Sequence, residues 1–196
     1  MASKNNTKRD WKLFSINIFF TVGIGVFAFG TINTYIQVKD LSMREDKDRA
    51  QQVYYEISEL INRRLYRFKK KIWFYNNPDT SLMSFKNRNI QLSNEYGEVL
   101  DSWNSQLSRN TVLLRMRFGK WSEEYFIDSV HNNFYRFHNR LNSIKQNYWH
   151  EPILHQKLDS LENAIKPFSI KIDSFNIYLV RAIEEGNVGE SRINQR

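Results

Sequence analysis

Apolar residues fall at intervals of three and four along most of this chain, the spacing of one face of an α-helix. The clearest stripe is Val53, Ile57, Leu60, Ile61, Leu65, Phe68 and Ile72, which predicts a helix from about Asp40 to Trp73. Asn76-Asn77-Pro78-Asp79-Thr80 ends it, because Pro cannot extend a helix and Asn and Asp favour turns. A second helix is expected from about Ser84 to Gln106, on Ile90, Leu92, Tyr96, Val99, Leu100, Trp103 and Leu107. Residues 108–120 do not choose between helix and a short extended piece, and Gly119 marks a bend. A third helix should span about Ser122 to His150, with Phe126 or Ile127, Val130, Phe134, Phe137, Leu141, Ile144 and Tyr148 inward. Ile153, Leu154, Leu158, Leu161 and Ile165 form a fourth stripe, from about Pro152 to Lys166. Ile172, Phe175, Tyr178 and Leu179 form a fifth, from about Phe168 to Glu184. Pro167 either separates these two or kinks one long helix.

One segment has no polar face. Leu13 to Ile36 holds no charged residue over 24 positions. As a helix it would be about 36 Å long, against about 30 Å for a bilayer's hydrocarbon layer. Trp11 and Tyr35 stand where interfacial aromatics belong. The expected architecture is therefore all-α: a single N-terminal transmembrane helix followed by an antiparallel helical bundle of three to five helices. The divisions are a short basic cytoplasmic tail at 1–12, a transmembrane signal-anchor at 13–36, a bundle at 37–185 and a disordered tail at 186–196. Cleavage as a signal peptide is the rival, with Ala28 and Gly30 as the small residues at the site. The first soluble helix is also compatible with a short coiled-coil seam, which leaves a homo-oligomer open.

Charge refines this picture. The net charge is +8, but it is local: Lys4, Lys8, Arg9 and Lys12 oppose only Asp10 before the apolar run. After it, Lys39 to Arg49 holds four basic and four acidic residues. The basic tail favours a cytoplasmic N-terminus and a C-terminal domain on the outer side of the cell membrane. There is no cysteine, so disulfides and thiolate chemistry are excluded.

Motifs for catalysis are weak. His150 and His155 flank Glu151 but are five apart with Pro152 between them, unlike the four-residue spacing of a zinc-protease helix. His131 and His138 share a helix face but are too far apart to hold one metal. Glu123-Glu124 and Glu184-Glu185 are adjacent pairs that do not face one another on a helix. No cofactor or metal is expected, and an enzyme of unknown class is the least favoured reading. The feature pointing to function is the basic run Arg63, Arg64, Arg67, Lys69, Lys70 and Lys71. Arg63, Arg67, Lys70 and Lys71 share one side and form the candidate interaction patch for a protein with an acidic surface; Arg64 lies toward the core boundary. The exposed-aromatic alternative, a nucleic-acid platform, is set aside because of the anchor. The leading expectation is a membrane-anchored interaction module that binds a partner protein, in an immunity, exclusion, assembly or regulatory role. The alternative is an extracytoplasmic ligand-sensing bundle that works with a second membrane protein.

Overall fold

The computed structural model describes residues 4–77, 82–148 and 153–189, and side chains at 30–77, 84–145 and 153–189. The chain divides into two compact units, Met1–Glu45 and Asp46–Arg196. Every described element is helical: α1 Lys4–Asn76, α2 Leu82–Phe118, α3 Lys120–Tyr125, a π-helical turn Phe126–His131, α4 Asn132–Tyr148 and α5 Leu154–Glu184.

In the first unit, the side chains from Gly30 to Ser42 are exposed. Among the described residues no helix is long and apolar enough to cross a membrane. That finding overturns the expected span Leu13–Ile36. With it go the signal-anchor, the single-pass membrane contact, the cell-membrane placement and the inside–outside orientation. The physical reason lies in the sequence from residue 30 onward. Thr31, Asn33, Thr34 and Gln37 are followed by Lys39, Asp40, Arg44 and Glu45, so the described turns of α1 are too polar for a hydrocarbon layer. The side chains of residues 1–29, which carry the basic tail and most of the expected span, lie outside the described residues.

The second unit is an all-α, four-helix domain. The α1 segment from Asp46 onward, α2, the α3–π–α4 arm and α5 alternate in direction, as the cross-links show. Arg109 of α2 meets Glu56 of α1 while Tyr75, nineteen residues further along α1, meets Asn89. Trp103 and Tyr96 of α2 meet His131 and His138, in reversed order. Lys47 reaches the carbonyl of Glu184, and Asn76 reaches Asp159, so α5 runs against α1. An up-down-up-down arrangement is what short connections between amphipathic helices favour.

Two apolar clusters fill the interior. One gathers Val53, Ile57, Leu60 and Ile61 of α1 around Trp103, Leu114, Phe126, Phe134 and Phe175. The other gathers Phe68, Ile72 and Tyr75 around Leu92, Tyr96, Leu141, Leu158 and Ile165. The α1 stripe read from the sequence is this core face, with Leu65 partly buried between the clusters.

Helix α2 differs from expectation in two ways. Helix α2 continues to Phe118, because Asn110 is buried between Trp103 and Leu114 and interrupts the apolar stripe without breaking the helix. Ile90, expected inward, is exposed. Pro167 sits inside one continuous α5, with Ile165 and Phe168 both buried; it removes a single backbone donor and the helix passes through. Gly119 makes the bend foreseen for it, separating α2 from α3 with φ of 90°. There the Ser122 hydroxyl, fully buried, donates to the Leu114 and Gly119 carbonyls. A side chain at that φ would be strained. The described part of the C-terminal segment packs: Val188 is buried, and the Gly189 N–H donates to the Arg117 carbonyl at 3.0 Å. Arg117 in turn pairs with Asp46 at 3.0 Å.

Candidate functional site

The six cations of the basic run sit on consecutive turns of α1, about 100° apart per residue, so they must face different neighbours. The structure divides the four of the candidate patch into three settings.

Arg63 is exposed, and among the described residues the acid near it is Glu59, at 3.9 Å. Arg67 and Lys70 both reach Glu95 of α2, Lys70 at 3.2 Å. The hydrogen bond from Lys70, aided by the charges of Arg67 and Lys70, holds the Glu95 carboxyl below its usual range. Lys71 points inward. It is 7% exposed, and its ammonium lies 5.0 Å from the centre of the Tyr96 ring. Burial, with a smaller push from Lys145, brings its pKa down to about 8. The four residues of the candidate patch are therefore not one open surface. Arg63 is free to meet a partner, two are joined to Glu95, and Lys71 belongs to the interior.

Lys69, which the four-residue patch leaves out, lies on a different feature. Tyr66, Lys69, Lys70, Ile72 and Trp73 of α1 and Glu162, Ile165 and Lys166 of α5 line an open groove of about 400 Å³. Ile72 and Ile165 are buried and form its floor. Trp73 is 65% exposed and Tyr66 61% exposed, large surfaces for aromatic side chains that have an apolar floor beside them. They are seven residues apart on one helix and so share a side. Lys166 is exposed and, among the described residues, bonded to Asn163, a neutral amide, at 2.9 Å. Counting Lys69, Lys70, Lys166 and Arg67 against Glu95 and Glu162, four cations against two carboxylates, the groove and its edge carry a net charge of +2. An aromatic-walled groove with a cationic rim is suited to an apolar anchor flanked by carboxylates.

The second concentration of polar groups lies between the two apolar clusters. Arg64 is 4% exposed, and its guanidinium carbon lies 4.5 Å from the Trp103 ring centre and 4.6 Å from that of Phe134. Its Nε and Nη1 have no hydrogen-bond partner. Burial pushes its pKa down, opposed by Tyr96. The Trp103 indole N–H donates to His131 Nδ1 at 3.0 Å. Asn142 donates to His138 Nε2 at 2.9 Å, which leaves the His138 Nδ1 proton for the Tyr96 oxygen 3.3 Å away. Burial, then Arg64, lowers the pKa of both imidazoles.

Among the described residues no three His, Asp or Glu come together to hold a metal. His155 faces Asn76 at 3.4 Å, while His150 and Glu151 lie outside the described residues. Glu123 and Glu124 diverge to Arg115 and Lys120, at 3.7 and 3.1 Å, as adjacent residues on a helix should. Of the aromatics around the basic run, Phe74 and Tyr75 are buried, and Tyr55, Tyr66 and Trp73 are exposed.

Comparison of the chain with protein-family models, with curated proteins and with solved structures finds no match. The expectation of a membrane-anchored module, and that of a sensor coupled to a second membrane protein, are both corrected by the finding on membrane-spanning helices. What stands is an all-α helical domain.

Proposed function

We propose that the four-helix domain is a protein-interaction module acting by binding rather than catalysis, with the groove between α1 and α5 as its docking surface. The observation that carries this reading is the pair of outward aromatics, Trp73 and Tyr66, beside a floor of Ile72 and Ile165. An exposed tryptophan next to a ready-made apolar recess is the composition of a binding hot spot. The lysine rim adds selectivity: Lys69 and Lys166 favour a segment with carboxylates beside its apolar anchor and disfavour a basic one. The volume fits one or two large side chains, so the partner contributes a short segment and not a broad face.

The test is selection of a displayed random-peptide library against the immobilised full chain. Enriched peptides should share a bulky apolar residue flanked by Asp or Glu. They should lose binding to Trp73→Ala and to the Lys69→Glu, Lys166→Glu double variant. Peptides that bind both variants as well as wild type would show that the groove is not the docking surface.

A further inference from the structure

The layer between the two apolar clusters has two unusual properties. It is rich in nitrogen bases, and its imidazole geometry demands a neutral ring. An indole N–H can only donate, so the Trp103–His131 hydrogen bond exists only while His131 Nδ1 carries no proton. Trp103 is 1% exposed and cannot turn to solvent without opening the core. It also packs on Phe126 and Phe134, with ring centres 5.5 and 5.3 Å away, so this one side chain joins α2 to both the π-helical turn and α4.

The groups of this layer come from every neighbouring helix, with Arg64 and Trp103 beside His131, Tyr96 and Lys71 beside His138, and Lys145 further along beside Lys71. Helix α1 supplies Arg64 and, further along, Lys71. Helix α2 supplies Tyr96 and Trp103, and α4 supplies His138 and Lys145. Helix α5 faces the layer with Phe168, an uncharged ring packed edge-on to Phe134. Asp128, in the same π-helical turn as His131, is exposed. A proton on His131 therefore adds positive charge beside Arg64, and no carboxylate is bonded to any of these side chains among the described contacts. In a low-dielectric interior such like-charge contact is far more costly than at a surface.

The backbone points to the same place. Phe126–His131 is the one π-helical turn among the described residues, and it ends on His131. Such turns carry an extra residue, hold weaker hydrogen bonds and recur where a helix must re-aim a side chain. Here the turn brings both Val130 and His131 to the interior side, followed by Phe134.

We propose that the His131–Trp103 contact is an acid-sensitive latch, opened when His131 takes a proton on Nδ1 and separates the π-helical turn from α2. The sign agrees with the electrostatics. The folded chain favours neutral His131, so its stability is complete above the ordinary imidazole value of 6.5 and falls as pH drops through it. The latch is independent of the groove: it lies in the interior and needs no partner.

The test follows the full chain by NMR from about pH 8 to about pH 5, reading the imidazole nitrogens of His131 and the indole N–H of Trp103 together. The two should move with one midpoint below 6.5, and amide protection around Trp103 and Phe134 should fall about tenfold beyond the intrinsic pH effect. His131→Gln offers Trp103 a carboxamide oxygen that cannot be protonated in this range, and it should abolish the transition. His138→Gln should leave the His131-linked transition in place. A Trp103 resonance that stays fixed while His131 titrates would overturn the latch. So would the same loss of protection in His131→Gln. If that variant does not fold, the wild-type titration alone decides.

Discussion

Arg64 and Lys69 stand five residues apart on one helix, yet one lies in the driest part of the domain and the other on the rim of an open groove. The five-residue offset turns the side chain by about 140° around the axis. What each cation then becomes is decided by the neighbouring helices. On the inner side, α2, the π-helical turn and α4 bring Trp103, Tyr96, Phe134 and two imidazoles, so Arg64 is held by ring faces. On the outer side, α5 brings Ile165 and Lys166, so Lys69 meets another cation across an apolar recess. The inner region buys rigidity from aromatic packing and becomes sensitive to protons. The outer region stays unsatisfied and becomes available to a partner.

The largest effect should come from breaking the inner region. Phe134→Ala should cost about 3–5 kcal/mol in chemical denaturation, because Phe134 is fully buried and supports Arg64, Trp103 and Phe168 at once. A cost below about 1 kcal/mol would show that the layer is not the centre of the core.

Removing an interior charge should act in the opposite direction. Lys71→Met should stabilise the domain at neutral pH by on the order of 1–2 kcal/mol, since a buried ammonium without an acid is costly to hold. The pH dependence gives a second reading. With its folded value lowered from 10.5 to about 8, Lys71 loses its proton earlier when folded than when unfolded. Wild-type stability should thus rise between about pH 8 and 10.5, and this rise should vanish in Lys71→Met. Denaturation curves at three pH values would measure both.

At the boundary between the regions, Glu95→Gln should cost about 0.5–1 kcal/mol, because Arg67 and Lys70 lose their shared carboxylate while keeping water. Glu95 is held below its usual range, so this contribution is present at neutral pH and is lost as pH falls through the carboxylate range. Thermal melts of the two forms should therefore converge in acid. The smallest effect belongs to Arg63→Ala, within about 0.5 kcal/mol, because the acid it meets, Glu59, is a mostly exposed neighbour 3.9 Å away on the same helix.

The apolar rhythm made the helices legible. Val53 to Ile72 on α1, Val130 to Ile144 on the third arm and Leu158, Leu161, Ile165, Ile172, Phe175 and Leu179 on α5 face inward in the structure, while Ile153 and Tyr178, expected with them, are exposed. Local spacing was a poorer guide wherever one residue broke it. Asn110 hid the last turns of α2, and the spacing gave no sign of the π-helical turn, because Phe126, Val130 and Phe134 are buried as expected. The basic run was visible as a run, but not its division, since Glu95, Tyr96 and Trp103 come from a helix some thirty residues away. The groove needed α5 to be set beside α1. Its one local sign was Tyr66 and Trp73, seven apart among lysines, on a side of the helix that a core would not use. Leu13 to Ile36 was read from an uncharged run of membrane length with Trp11 and Tyr35 at its ends, and the described turns from Gly30 onward bring polar and then charged residues instead.

The most direct test of the groove is the affinity of a library-selected acidic peptide, measured by fluorescence anisotropy against wild type and Trp73→Ala. Trp73 is mostly exposed, so its loss should leave the melting temperature nearly unchanged. Binding should weaken about tenfold or more, the usual scale for a hot-spot tryptophan. Equal affinity for the two proteins, with equal stability, would contradict the assignment of the α1–α5 groove as the docking surface.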